Sequence, residues 1–207
     1  DPPSRGAAVN KPEENFTVSG DGPTPGQEWD VSLAQLYQHH KQARLEYAAK
    51  KAMIYKYDYL VVGSGIAGMS FALKSARHGR VALICKTTLE EANTYFAQGG
   101  VASVTNLEVD NFDKHIHDTM VAGDWLSDPQ AVEMVVRNAP EQIRQLIDWG
   151  VSFDKKENGD FDLHREGGHS EFRILHHQDN TGAEIQEKLV EAVRRNPNID
   201  IFENHFA

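Results

Sequence analysis

The stretch Tyr57-Asp58-Tyr59-Leu60-Val61-Val62-Gly63-Ser64-Gly65-Ile66-Ala67-Gly68 constrains this chain more than any other. An apolar run of strand length enters three glycines in G-x-G-x-x-G spacing, and a helical pattern leaves them. Gly63 permits a sharp turn, Gly65 lets the backbone approach a pyrophosphate, and Gly68 lets the new helix pack on the strand. A helix start carries unpaired N–H groups and the positive end of the peptide dipole, so a phosphate pair fits there. Phe71, Ala72, Leu73 and Ala76 predict a helix over 69–78 that stops at Gly79, and Val81–Cys85 reads as the next strand. The result is a βαβ unit and an α/β, Rossmann-like fold class. The acid that usually ends the second strand and binds ribose hydroxyls is missing. Lys86 stands in its place, which weakens a simple NAD reading.

Composition narrows the function classes. The chain has 207 residues, 40% hydrophobic and 25% charged, as a globular protein does, and no apolar run of about 18 residues that predicts a membrane span. Its formal charge of −10 disfavours nucleic acid or an anionic membrane surface as partner. One cysteine, Cys85, excludes an intrachain disulfide and predicts a reducing, cytoplasmic setting; lying in an apolar run, it reads as a buried, inert thiol. Residues 1–29 are rich in Pro, Gly, Asn and Glu and are expected to be disordered. Leu33, Leu36, Tyr37, His40, Leu45 and Tyr47 predict an amphipathic helix within 30–52, and the domain proper is expected to begin at Met53, leaving 1–52 as an extension.

Further along, Asn93-Thr94-Tyr95-Phe96-Ala97-Gln98-Gly99-Gly100 is a glycine-ended loop that either joins two elements or lets the backbone approach a flat ligand. A helix is expected over 113–122; its His115 and His117 stand on different faces, as do the neighbours His39 and His40, so no metal site is expected. Ser127-Asp128-Pro129 starts a helix with Val132, Val135 and Val136 as its apolar stripe. Pro140 should restart it, and Ile143, Leu146 and Ile147 continue the stripe to Gly150. Val151–Asp154 and Phe161–His164 alternate as a hairpin around Asn158-Gly159. The charges of Arg165-Glu166-Gly167-Gly168-His169-Ser170 exceed what a turn requires and suggest a loop facing a ligand. Thr181 and Glu184 have capping-box spacing before a helix over 182–195, and Ile199–Phe202 reads as a strand of the first sheet.

Together the 62–68 turn, Lys86, Thr94–Gly100, Arg165–Ser170, Ile174-Leu175-His176 and Asp179-Asn180-Thr181-Gly182 resemble the L-aspartate oxidase family, flavoproteins related to the succinate dehydrogenase and fumarate reductase flavoprotein subunits. The resemblance runs from about Tyr57 to Ala207. It implies FAD as the dinucleotide, with Gly63, Ser64, Gly65, Ile66, Ala67 and Gly68 at the pyrophosphate and Lys86 toward the adenosine. Asn93, Thr94, Tyr95, Phe96, Ala97, Gln98, Gly99 and Gly100 would pass along the flavin. Asn93 replaces the histidine that holds FAD covalently in the succinate dehydrogenase relatives, which implies non-covalent binding. Glu166 matches the acid that orients the substrate amino group. The implied reaction is oxidation of L-aspartate to iminoaspartate with oxygen or fumarate as acceptor, a first step of NAD biosynthesis with a functional link to quinolinate synthase. The family's catalytic arginine lies in a later region, so no catalytic residue is expected among these 207.

Overall fold

The computed structural model describes residues 54–207 together with positions 37, 38, 40–42 and 44. Those six positions are helical and exposed. The disordered stretch expected over 1–29, and every other position of the helix expected within 30–52, lie outside the described residues.

From Tyr55 onward the chain forms one compact unit. Strand β1 (Tyr59–Val62), helix α1 (Ile66–Ser75) and strand β2 (Val81–Ile84) make the expected βαβ unit, with Tyr59 opposite Val81 and Val62 opposite Ile84 in parallel register. Strand β6 (Ile199–Phe202) adds to the far side of β2, also parallel, as the sequence predicts. Helix α4 (Thr181–Arg195) packs with α1 over the sheet, where Met69, Ala72, Val81, Leu83, Leu189 and Val193 are all buried. Helix α1 begins three residues earlier than the 69–78 reading and ends at Ser75. Gly79 is not a left-handed cap: it is required because a Cβ there would fall 2.5 Å from Asp58 Oδ2, the atom that accepts from the Arg80 amide.

A second sheet is antiparallel, in the order β3 (Val101–Ala102), β5 (Ile174–Leu175), β4 (Leu163–His164). The expected hairpin is therefore only partly formed. Gly159 turns the chain with φ +90, but Val151–Asp154 is not a strand; only Lys155 bridges Phe161, and β4 takes β5 as its partner. Asp154 still accepts from the Asp162 amide and donates its own amide to His176 O, so the arm runs beside the sheet without joining its ladder.

Helix α2 (Phe112–Ala122) is capped by Asn111, whose side chain accepts from the Lys114 amide. Helix α3 (Pro129–Asp148) opens on Asp128 and Pro129 as expected, then runs through Pro140 without restarting. An internal proline costs about 3 kcal/mol, but both halves bury one stripe. Val132 and Val136 pack with Met120 of α2, while Ile143 and Leu146 enter the main core. Val135 (62% exposed) and Ile147 (38%) turn out to lie off that stripe. At the start of α4 the expected capping box is absent. The helix begins at Thr181 itself, whose buried hydroxyl accepts from the His177 amide, and Glu184 accepts from the Ser152 amide instead.

Candidate functional site

The glycine turn is built as its spacing demands. Gly63 has φ +111, a left-handed conformation that L side chains rarely adopt, and its amide donates to Ile84 O at 2.8 Å, tying the turn to the end of β2. A Cβ on Gly68 would stand 2.0 Å from Gly63 O, so helix and strand meet only because that side chain is missing. Gly65 caps α1 without a side chain. The Ile66 amide donates to Thr94 Oγ1 at 3.1 Å, and among the described residues no side chain accepts from Ala67 or Gly68. Ser64 is buried, and its carbonyl accepts from Gln186 Nε2 at 2.9 Å. The same amide donates to Leu89 O at 2.5 Å, so one fully buried side chain of α4 links the loops that follow β1 and β2. Sequence reading passed over Gln186; the available signal was a polar residue between Ile185 and Leu189 on the buried face of an amphipathic helix.

The loop 93–100 is seated on two helix starts. Thr94 receives the first amide of α1, and Ala97 O receives the Gly182 amide at the start of α4. A Cβ on Gly182 would lie 2.1 Å from Thr94 O, and one on Gly100 would lie 2.4 Å from Leu175 O, so both glycines permit close backbone contact. Gly99 faces open space. Tyr95 and Phe96 project outward as an edge-to-face pair with centroids 5.4 Å apart, and with Ala97, Gln98 and His177 they border a cleft of about 420 Å³. Lys86 and Asn93 are exposed, after β2 and at the start of the loop.

Glu166 lies on the turn between β4 and β5. Its carbonyl accepts from the His169 amide at 3.2 Å and Gly168 has φ +87, which closes the turn and leaves the Glu166 carboxylate exposed. Arg165 lies 5.6 Å over the Phe172 ring. The other end of the turn is clamped, since Asp118 Oδ2 accepts from both the amide and the hydroxyl of Ser170 at 2.8 Å. Behind it Arg173, wholly buried, gives two bonds of 2.8 Å to Asp110 and one of 2.5 Å to Asp118. Burial alone would raise the Asp118 carboxyl; the Ser170 and Arg173 hydrogen bonds outweigh it and hold the group below the usual carboxylate range. Likewise burial opposes the Arg173 charge, yet the two carboxylates hold its pKa above the ordinary value. His115 beside them is pushed down to about 4, first by burial and then by the charge of Arg173, and is neutral at pH 7. Strand β5 pairs with β3, which starts directly after Gly100, so the Glu166 turn and the 93–100 loop are carried by one sheet.

The model of the FAD binding domain family matches residues 58–207. The chain belongs to that family. Its cofactor is FAD. Among curated relatives, L-aspartate oxidase 2-b, chloroplastic, of Nicotiana tabacum is 50% identical over 151 residues, covering 73% of this chain and 23% of the relative. The L-aspartate oxidase of Vibrio cholerae is 44% identical over 155 residues, 72% of this chain and 29% of the relative. Among solved structures, an E. coli quinol fumarate reductase FrdA variant superposes with TM-score 0.69 at 31% identity, covering 73% of this chain and 26% of that one. Mycobacterium smegmatis Sdh1 in complex with UQ1 gives TM-score 0.67 at 30% identity, covering 72% and 28%. The chain thus spans about a quarter of the length of the relatives it matches. Its residues fit an FAD-binding domain: a turn that needs the left-handed backbone of Gly63 and the missing side chain of Gly68, a helix start capped by no carboxylate, and a second loop seated on that start. Among the described residues no helix is long and apolar enough to cross a membrane.

Proposed function

We propose that this chain is the cofactor-binding part of a flavoprotein that oxidises L-aspartate to iminoaspartate, with oxygen or fumarate as the final acceptor. The supporting observation is the seating of Thr94 on the first amide of α1, which brings the glycine turn and the 93–100 loop to one place. In this reading Gly63–Gly68 and the α1 start hold the pyrophosphate, and Lys86 sits toward the adenosine. Asn93, Thr94, Tyr95, Phe96, Ala97, Gln98, Gly99 and Gly100 border the flavin, and Asn93 makes no covalent bond to it. FAD, when bound, supplies the hydride acceptor. The protein's work is placement: the Glu166 carboxylate accepts from the substrate ammonium, and the clamp of Asp118 on Ser170 fixes the turn that carries it. The product would feed quinolinate synthase and NAD biosynthesis, in a reducing compartment suited to the single buried thiol Cys85.

A fumarate reductase-like flavoprotein is the second reading, favoured by the superposition on E. coli quinol fumarate reductase. The full-length protein should release peroxide with L-aspartate and lose its yellow flavin on acid precipitation. Turnover of succinate alone, or flavin that stays with the precipitate, would overturn the first reading.

A further inference from the structure

Strands β4 and β5 bring together three side chains that are twelve to fourteen positions apart or adjacent but one in sequence: Asp162, His164 and His176. The ladder pairs Leu163 with Leu175 and His164 with Ile174. Continued one step, that register sets Asp162 across from His176. Residues two apart on a strand share a face, so Asp162 and His164 stand on the same side of the ladder as the cross-strand His176. Their ligand atoms all lie within 4.8 Å of one another. The two imidazoles stack, with centroids 3.7 Å apart and planes at 22°.

His176 is the informative member. It is 8% exposed, and neither ring nitrogen has a hydrogen-bond partner. A buried imidazole normally satisfies at least one nitrogen. Asp154 Oδ2 lies 3.3 Å from His176 Nδ1, near enough to orient the ring though not aligned as a hydrogen bond. A carboxylate behind one nitrogen, which leaves the other for the metal, is the usual support of a metal-bound histidine. Asp162 and His164 also line an open groove of about 1140 Å³, which gives an ion a path to them. The other close histidine pair, His115 and His169, lies beside the Arg173 guanidinium, whose charge repels a cation.

We propose that Asp162, His164 and His176 bind a divalent transition-metal ion of the zinc class, with Asp154 orienting His176. Two imidazoles and one carboxylate suit zinc or cobalt better than magnesium or calcium, which take oxygen ligands. Water from the groove fills the remaining position.

The test uses the full chain without a histidine tag, stripped with chelator and titrated with Co²⁺ and then Zn²⁺. We expect a visible Co²⁺ absorption band that saturates at one equivalent and is displaced by Zn²⁺. His164→Ala and Asp162→Asn, both at sites that are not fully buried, should each weaken uptake at least tenfold with an unchanged circular dichroism spectrum, while His78→Ala and His40→Ala, at exposed positions, leave it unchanged. No stoichiometric uptake, uptake that survives both His164→Ala and Asp162→Asn, or uptake lost in either control variant would overturn the proposal.

Discussion

Arg173 and Asp110 form a two-pronged ion pair with both side chains withdrawn from solvent, at 0% and 3% exposure. Asp110 lies just before the cap of α2, and Arg173 leads into β5, so the pair fixes the helix layer to the sheet that carries the Glu166 turn. Asp118, further along α2, is a second carboxylate on the same guanidinium. A buried pair of this kind contributes little over an apolar substitute of the same shape, but removing one member leaves an uncompensated charge. Arg173→Met should therefore destabilise the domain by about 3–5 kcal/mol in urea unfolding. A loss below about 1 kcal/mol would mean that the two carboxylates find other partners.

His115 makes stability depend on pH. Its folded pKa, about 4, lies below the ordinary histidine value of 6.5, so between those values the unfolded chain binds more protons than the folded one. Stability from this group is complete above pH 6.5 and is lost as the pH falls toward 4. The loss is on the order of 3 kcal/mol by the linkage relation. His115→Gln should flatten the pH dependence of unfolding in that window, and an unchanged slope in the variant would refute the assignment. The depressed Asp118 carboxyl adds a loss of the same sign at lower pH, below the ordinary carboxylate range.

Gly68→Ala should be poorly tolerated, because the new methyl would meet a backbone oxygen, Gly63 O, that cannot swing aside. A cost of about 1–3 kcal/mol is expected, together with weaker FAD retention during gel filtration. Gly99→Ala, which meets open space, is the matched control and should keep the stability of the parent.

Thr94→Val removes the acceptor of the Ile66 amide while keeping the side-chain shape. The expected cost is about 1 kcal/mol, read as a drop of a few degrees in Tm. Thr94→Ser should restore it. If Val and Ser behave alike, the hydroxyl is not holding the loop on α1.

Glu166→Gln in the full-length protein should raise KM for L-aspartate about tenfold or more, with flavin content unchanged. The Asp118→Asn variant loosens the turn without touching its carboxylate and should produce a smaller rise. Equal KM values for the parent and Glu166→Gln would remove this residue from the substrate site.

Much of the βαβ unit was legible in the residues because its signals are local. Strand, glycine turn and helix are adjacent in sequence, and the tightest glycine contact, Gly68 against Gly63 O, spans five residues. The readings that failed depended on distant neighbours. Gly79 looked like a helix cap, yet the Asp58 side chain is what excludes a Cβ there. Thr181 and Glu184 had capping-box spacing, but the buried hydroxyl was taken by His177 and the carboxylate by Ser152. Pro140 reads as the restart of a helix, yet burial in two separate apolar clusters keeps one helix continuous through it.

A dinucleotide-type turn at Gly63–Gly68, a second glycine loop after it and a charged turn around Glu166 are written in the order of the residues alone. Spacing of two or three residues suffices for such features, since backbone geometry repeats over that range. Packing between distant segments was needed to seat Thr94 on α1, to join two loops through Gln186, to bury Arg173 between Asp110 and Asp118, and to set Asp162 near His176. Each of those contacts closes a chain segment of more than ten residues. Strand register and burial fix such contacts, and neither is written in local spacing.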